Sequence, residues 1–275
     1  MPESFADTGF PAGELLARMD DCGVSRAVLL ANSITDPEEN TRAVREYPGR
    51  FAAAMTIPQG DKAAEALRHW HSRGLTALKF EMSEGLGYTN PGWYPDFRLD
   101  DPAMEPVYAL AGKLGVTIAV DPGRVGGKTY QTKALEAVTA AFPATRFVIC
   151  HLGFPDVPMP DPARREAWHR MASLAKRPNV WFDFAALTDF CRKEAPDFPT
   201  PPRLVRAFPT SSEQGNSSGA PTPPAPSARR TTPGSWASTG TVPCFRRRRR
   251  RCSWGKMPAW PTGWRIIDKI YNLSG

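Results

Sequence analysis

The residue best suited to chemistry in this sequence is His151, which ends the apolar run in TRFVICHLGFP. A neutral imidazole binds a metal ion or takes a proton near pH 7. The run has no helical period, which predicts a strand buried on both faces over residues 145–155. His151 would then lie at the carboxyl end of a parallel strand, where α/β folds place their chemistry. The alternative is a buried histidine hydrogen-bonded to the backbone.

Asp121 ends a second apolar run, VTIAVDPG, and is followed by Pro122 and Gly123. Its carboxylate is an oxygen ligand for a metal ion or a group for acid–base catalysis. Aspartate is also common as a turn residue before proline, and this alternative stays open.

Lys79 and Glu81 end a third run, LTALKFEM. They are predicted to contact an anionic substrate, and the alternative is an exposed pair at a strand end. Asp183, in NVWFDFAAL, faces either the interior of the fold or its helices and is assigned no role. Cys150 and His151 are not predicted to form a catalytic dyad, because adjacent strand residues point to opposite faces.

Six apolar runs predict strands, and helical patterns separate them. Repeated βα units of this kind predict a parallel sheet, either doubly wound or closed into a barrel. The chain has no GxGxxG opening, which favours an α/β fold of the (β/α)₈ barrel type with about six βα units present. The predicted strands cover residues 25–32, 50–58, 75–82, 116–123, 145–155 and 179–187.

The composition bounds the class of protein. The chain has 275 residues, of which 41% are hydrophobic, enough for one large domain core. No apolar run is long enough to cross a membrane and the N-terminus lacks a signal-peptide pattern, so we expect a cytoplasmic protein without a membrane partner. Five cysteines without CxxC spacing indicate neither a disulfide framework nor a zinc ribbon.

The net charge of +7 comes from the C-terminal segment. Residues 209–275 hold 11 Lys/Arg and 2 Asp/Glu, whereas residues 1–208 hold 24 and 26. This segment is rich in Pro, Ser, Thr and Gly, which predicts a disordered basic tail after a domain over 1–208. The arginines from Arg246 to Arg251 have no interleaved aromatic residues or binding fold, so nucleic acid is not an expected partner.

TRFVICHLG, together with ELLARMDDCGVSRAVLL and RFAAAMTIP, resembles the amidohydrolase-related family of (β/α)₈ barrels over about residues 11–208. The resemblance implies metal-dependent hydrolysis of a C–N or C–O bond in a small cyclic or aromatic substrate. The alternatives are nonoxidative decarboxylation and a barrel that has lost catalysis. It also implies zinc or manganese as cofactor, held by His151 and Asp121, and leaves a homo-oligomer open.

Several features of that family are missing. The family's first strand carries a His-x-His metal motif, and here the only such pair, His69 and His71, lies in a helical pattern. Asp121 stands where the family has a histidine, and the closing Gly-Thr/Ser-Asp motif is absent. We therefore expect the chain to be truncated at its N-terminus and to have little or no activity.

The tail has a possible origin in a shifted reading frame. Read one frame over, with permitted codons, PTSSEQGNSSGAPTPPAPSA becomes DFVRAGQLIWGTDAPGTLR, which contains the missing motif. The hypothesis is a frameshift after about residue 208. Resequencing the gene tests it.

Overall fold

The structure is a computed structural model, and it describes most of residues 11–207 together with residues 237–238. Within the first range it does not describe residues 22, 32–36, 58, 84–93, 95, 156, 158–159, 186, 188–190, 195–196 and 198.

Within the described part of residues 11–207, six strands and seven α-helices alternate, as the apolar runs predict. The strands are β1 (Ala27–Ala31), β2 (Phe51–Met55), β3 (Leu75–Glu81), β4 (Thr117–Asp121), β5 (Arg146–Ile149) and β6 (Val180–Phe182). The helices are α1 (Ala12–Asp21), α2 (Pro37–Glu46), α3 (Ala63–His71), α4 (Glu105–Leu114), α5 (Thr132–Ala141), α6 (Pro162–Ala172) and α7 (Thr200–Ala207). Short 3₁₀ helices cover Pro102–Met104, Ser173–Lys176 and Arg192–Glu194.

The sheet is parallel, and its strands follow one another in chain order from β6 to β1. A doubly wound sheet reverses direction at a switch point, whereas a barrel adds each strand beside the previous one. The uninterrupted order therefore confirms the predicted fold, an incomplete (β/α)₈ barrel. A two-residue strand, β7 (Ala237–Ser238), pairs in parallel with β1 at the free edge.

The two faces of the sheet differ in chemistry. One face carries residues such as Phe80, Ile118 and Phe147, which pack with the helices into the main hydrophobic core. Tyr108 of α4 is at the centre of this core, and its hydroxyl donates to the Leu99 carbonyl oxygen at 2.6 Å. The opposite face has a small apolar cluster and, at its carboxyl edge, charged side chains. The helix-covered face therefore stabilises the sheet, and the other face is available for a site.

The strand predicted over residues 145–155 is shorter than expected. β5 ends at Ile149, and residues Cys150–Gly153 form a turn. Apart from residues 237–238, the predicted disordered tail lies outside the described residues, and the domain boundary at 208 stays a prediction. Among the helices that the structure describes, none has both the length and the apolar character needed to span a membrane.

Candidate functional site

Four neighbouring strands bring their charged residues to one edge of the sheet. Glu81, at the end of β3, pairs in register with Asp121, at the end of β4. Ile149 of β5 lies between Val120 and Phe182 in the same register. Because all these strands are parallel, the residues that follow them meet at the same carboxyl edge. The cluster contains Lys79, Glu81, Asp121, Cys150, His151 and Asp183.

His151 begins a left-handed turn of four residues. Its φ is +57°, and Leu152, Gly153 and Phe154 also have positive φ, at 51°, 72° and 56°. Left-handed backbone costs roughly 1–2 kcal/mol for each non-glycine residue, because Cβ approaches the following carbonyl oxygen. Such conformations persist only where surrounding contacts hold them, and they cluster at functional sites.

Hydrogen bonds from three elements hold this turn. The Asp183 carboxylate oxygen Oδ1 accepts from the His151 backbone N–H at 2.8 Å, and the Asp183 carbonyl accepts from the Leu152 N–H at 2.7 Å. The Trp168 indole donates to the Leu152 carbonyl at 2.8 Å, and the Tyr130 hydroxyl donates to that of Gly153 at 2.7 Å. The strain is therefore balanced by specific bonds, and the His151 ring has a defined position.

The ring of His151 has an oxygen acceptor at each nitrogen. Nδ1 lies 2.9 Å from the Ala185 carbonyl oxygen, which can only accept, so Nδ1 carries a proton. Nε2 lies 3.0 Å from Oδ2 of Asp121. Burial alone would lower the pKa of His151, but the hydrogen bond to Asp121 and the charge of Asp183 outweigh it and raise the pKa above its usual range. The arrangement favours the imidazolium form, which donates from both nitrogens.

Asp121 connects three groups through its two oxygens. Oδ1 accepts from the Gly123 backbone N–H at 3.0 Å, which is the turn bond expected of aspartate before Pro122. Oδ2 faces His151 and lies 3.9 Å from Nζ of Lys79. Burial would raise the pKa of Asp121, but His151 and Lys79 lower it to about 2. Oδ1 therefore makes the predicted turn bond, while the catalytic or metal-binding role of Asp121 stays a prediction.

Lys79 is the central cation of the cluster. Its side chain is buried, with 8% of the residue exposed, so the alternative of an exposed strand-end pair is wrong. Nζ donates to Sγ of Cys150 at 3.3 Å and lies 3.7 Å from Oε2 of Glu81. Burial alone would lower the pKa of Lys79, but Cys150, Asp121 and Glu81 raise it, which keeps the ammonium charged.

The pKa values of Glu81 and Cys150 are raised as well, in contrast to that of Asp121. Burial and the neighbouring Asp121 raise the pKa of Glu81, although Lys79 opposes the shift. Burial, together with Asp183, raises the pKa of the Cys150 thiol well above its usual range. Cys150 is therefore a weak nucleophile, because the thiolate is the reactive form.

The chemistry of these donors does not fit a divalent metal ion. A histidine ligand needs a free nitrogen lone pair, and both nitrogens of His151 face oxygen acceptors. The buried ammonium of Lys79 would repel a second cation beside Asp121. Within the described part of the chain, no group of three or more His, Cys, Asp or Glu could hold a metal ion. The assignment of His151 and Asp121 as metal ligands stays a prediction that this geometry does not favour.

The sequence located most of this cluster but left out Asp183. The structure brings His151, Asp121, Lys79 and Glu81 together, while their catalytic, substrate-binding and metal-binding roles stay predictions. The sequence assigns no role to Asp183, yet its carboxylate accepts from the His151 and Ala185 N–H groups. The sequence feature that could have identified Asp183 is its position directly after a buried strand.

Trp181, two residues earlier, buries an indole N–H with no acceptor among the described residues.

Several solved structures are similar to this chain. An uncharacterised TIM-barrel protein from Bordetella bronchiseptica has 16% identity and a TM-score of 0.48, with 68% of this chain and 63% of that chain covered. A probable 2-pyrone-4,6-dicarboxylic acid hydrolase from Acinetobacter baumannii, with citric acid bound, has 16% identity and a TM-score of 0.49, with 65% and 61% covered. An amidohydrolase from Burkholderia multivorans with bound zinc has 15% identity and a TM-score of 0.48, with 68% and 63% covered.

These similarities cover about three fifths of each of those chains. No curated protein matches the chain in sequence. The model of one protein family, described as amidohydrolase, matches residues 1–213, which is more than three quarters of the 275 residues. The chain therefore belongs to the amidohydrolase family.

Proposed function

We propose that this chain hydrolyses a C–O or C–N bond in a small cyclic or aromatic substrate, at a low rate. The observation that carries the proposal is the pairing of His151 with Asp121 at the carboxyl edge of a partial barrel in an amidohydrolase-family chain. The carboxylate of Asp121 raises the pKa of His151 above its usual range, which keeps the ring protonated near neutral pH. A protonated imidazole in this position is suited to act as a general acid.

The acid and base roles are assigned from the pKa shifts of His151, Glu81 and Asp121, of which only that of Asp121 is downward. Environments that push neighbouring titratable groups apart indicate which donates and which accepts a proton. When substrate binds, the leaving oxygen or nitrogen replaces Oδ2 of Asp121 as the acceptor of the His151 Nε2 proton and takes that proton. Glu81, whose pKa burial raises, is a better base near neutral pH than Asp121, whose pKa is about 2. We therefore assign Glu81 to accept a proton from the attacking water and Asp121 to orient His151.

Lys79 supplies a fixed positive charge beside these groups. Negative charge develops on the substrate oxygen when water adds, and a preorganised cation stabilises that charge most where water is excluded. This role supports an anionic or carbonyl-containing substrate, as the sequence predicts for Lys79 and Glu81. We expect a low rate because the sequence lacks the first-strand His-x-His motif and the Gly-Thr/Ser-Asp motif of the family.

Replacing His151 with asparagine should lower kcat/KM by about 10²–10⁴-fold, the usual contribution of a positioned acid or base. The assay uses the purified 275-residue chain with a panel of small lactones, lactams and aromatic esters, each with and without a carboxylate. His169→Asn, an exposed histidine on α6, is the matched control and should leave turnover unchanged.

Equal turnover in the wild-type and His151→Asn chains would contradict the assignment of the site. An absence of turnover across the whole panel would support the noncatalytic alternative instead. Release of CO₂ from an aromatic acid, lost in His151→Asn, would replace hydrolysis with decarboxylation.

A further inference from the structure

The cluster at the carboxyl edge already contains its own cations. Lys79 and His151 are two positive groups, and Glu81, Asp121 and Asp183 are three carboxyl groups. With all three carboxyl groups ionised and His151 protonated, the form that its two oxygen acceptors favour, the cluster carries a net charge of −1. A divalent ion added to this form would leave an excess positive charge in a buried place, which is costly.

The position of Lys79 is as important as its charge. Its ammonium contacts Cys150 Sγ and lies within 4 Å of the carboxylate oxygens of Glu81 and Asp121. These three are the groups on β3, β4 and the turn after β5 whose sulfur and oxygen atoms would be donors to a metal ion. The buried Lys79 side chain therefore faces donor atoms on its own strand β3, on β4 and on the turn after β5.

We propose that the Lys79 ammonium takes the place of the divalent metal ion in this site, so that the chain folds and holds its carboxylates together without a metal. An ammonium balances the negative charge of Asp121 and Glu81 as a metal would. It cannot accept a lone pair from His151, and that ring instead donates to Asp121. The buried Lys79 ammonium and the bond from His151 to Asp121 are consistent with each other. A histidine that ligates a metal could not also donate a hydrogen bond from the same nitrogen.

This inference rests on the same residues as the proposed function but does not depend on turnover. It is tested by metal content and by thermal unfolding of the full chain. Expression in medium supplemented with zinc and manganese should yield wild-type protein with less than stoichiometric metal. Neither EDTA nor added zinc or manganese should change its Tm.

Removing the ammonium should reverse this behaviour. In Lys79→Met and in the milder Lys79→Gln, the carboxylates lose their cation, so zinc or manganese should bind and raise the Tm or restore the folded circular dichroism spectrum. Lys79→Arg keeps the positive charge and should remain insensitive to metal. Lys113→Met, at an exposed position of α4, controls for loss of a lysine elsewhere.

Stoichiometric metal in the wild-type chain, or a Tm increase on adding metal to it, would overturn the inference. Lys79 variants that gain nothing from zinc or manganese would overturn it too, because the ammonium would then not be what stands in for the metal. If the metal results hold but no substrate is turned over, the proposed function fails and this inference stands.

Discussion

Lys79→Met should destabilise the chain by about 3–5 kcal/mol, the usual cost of removing one partner from a buried ion pair. Methionine has a similar volume and no charge, so packing changes little while Asp121 and Glu81 lose their common cation. Both carboxyl groups are largely buried, so water cannot replace the ammonium. Urea-induced unfolding, followed by circular dichroism, measures the change in the free energy of unfolding.

A second variant separates charge from packing. In the double variant Lys79→Met with Asp121→Asn, one uncompensated carboxylate is also removed, so part of the lost stability should return. The control Lys113→Met should stay within about 0.5 kcal/mol of the wild type, as is usual for surface positions. A Lys79→Met chain as stable as the Lys113→Met chain would show that the ammonium is not the centre of a buried network.

Asp183→Ala should cost about 2–6 kcal/mol, because two backbone donors lose their shared acceptor and each unsatisfied donor costs roughly 1–3 kcal/mol. The donors are the N–H groups of His151 and Ala185, both bonded to Oδ1 of Asp183. The left-handed turn is strained and depends on such bonds. Loss of the Asp183 carboxylate should therefore also displace the His151 ring. Turnover should therefore fall together with stability.

The isosteric Asp183→Asn keeps an oxygen acceptor at the same position and should lose much less stability than Asp183→Ala. Asp61→Ala removes an exposed carboxylate and serves as the surface control. Unfolding curves in urea for the three variants give the comparison. Equal losses in Asp183→Ala and Asp61→Ala would mean that the turn does not depend on the Asp183 carboxylate.

The six strands could be predicted because each is a short apolar run between helical patterns. A parallel strand covered by helices must be apolar over most of its length, and this leaves a clear signal in β2 and β5. The place where β5 ends could not be predicted in the same way. Of the four left-handed residues that follow it, only Gly153 belongs to a type that favours positive φ, and tertiary hydrogen bonds impose the rest.

The burial of Lys79 and the role of Asp183 also depend on tertiary structure. Lys79 alternates with Leu78 and Phe80, a pattern that fits a solvent-exposed face as well as the inner face of a barrel. Only the order of the strands in the sheet shows whether Lys79 lies on a solvent-exposed face or on the inner face of a barrel. The direction of Asp183 is set by the register of Phe182 against Ile149, and a three-residue strand carries too few residues to show that register.

Buried carboxylates are expected to hold His151 as an imidazolium beside Lys79. The direct measurement is the pKa of His151 from an NMR pH titration, with its signals assigned among the four histidines by the His151→Asn variant. We predict a wild-type pKa above the usual value of about 6.5 and a lower one in Asp121→Asn, which removes the charge facing Nε2. A His151 pKa at or below the usual value, unchanged by Asp121→Asn, would contradict the account.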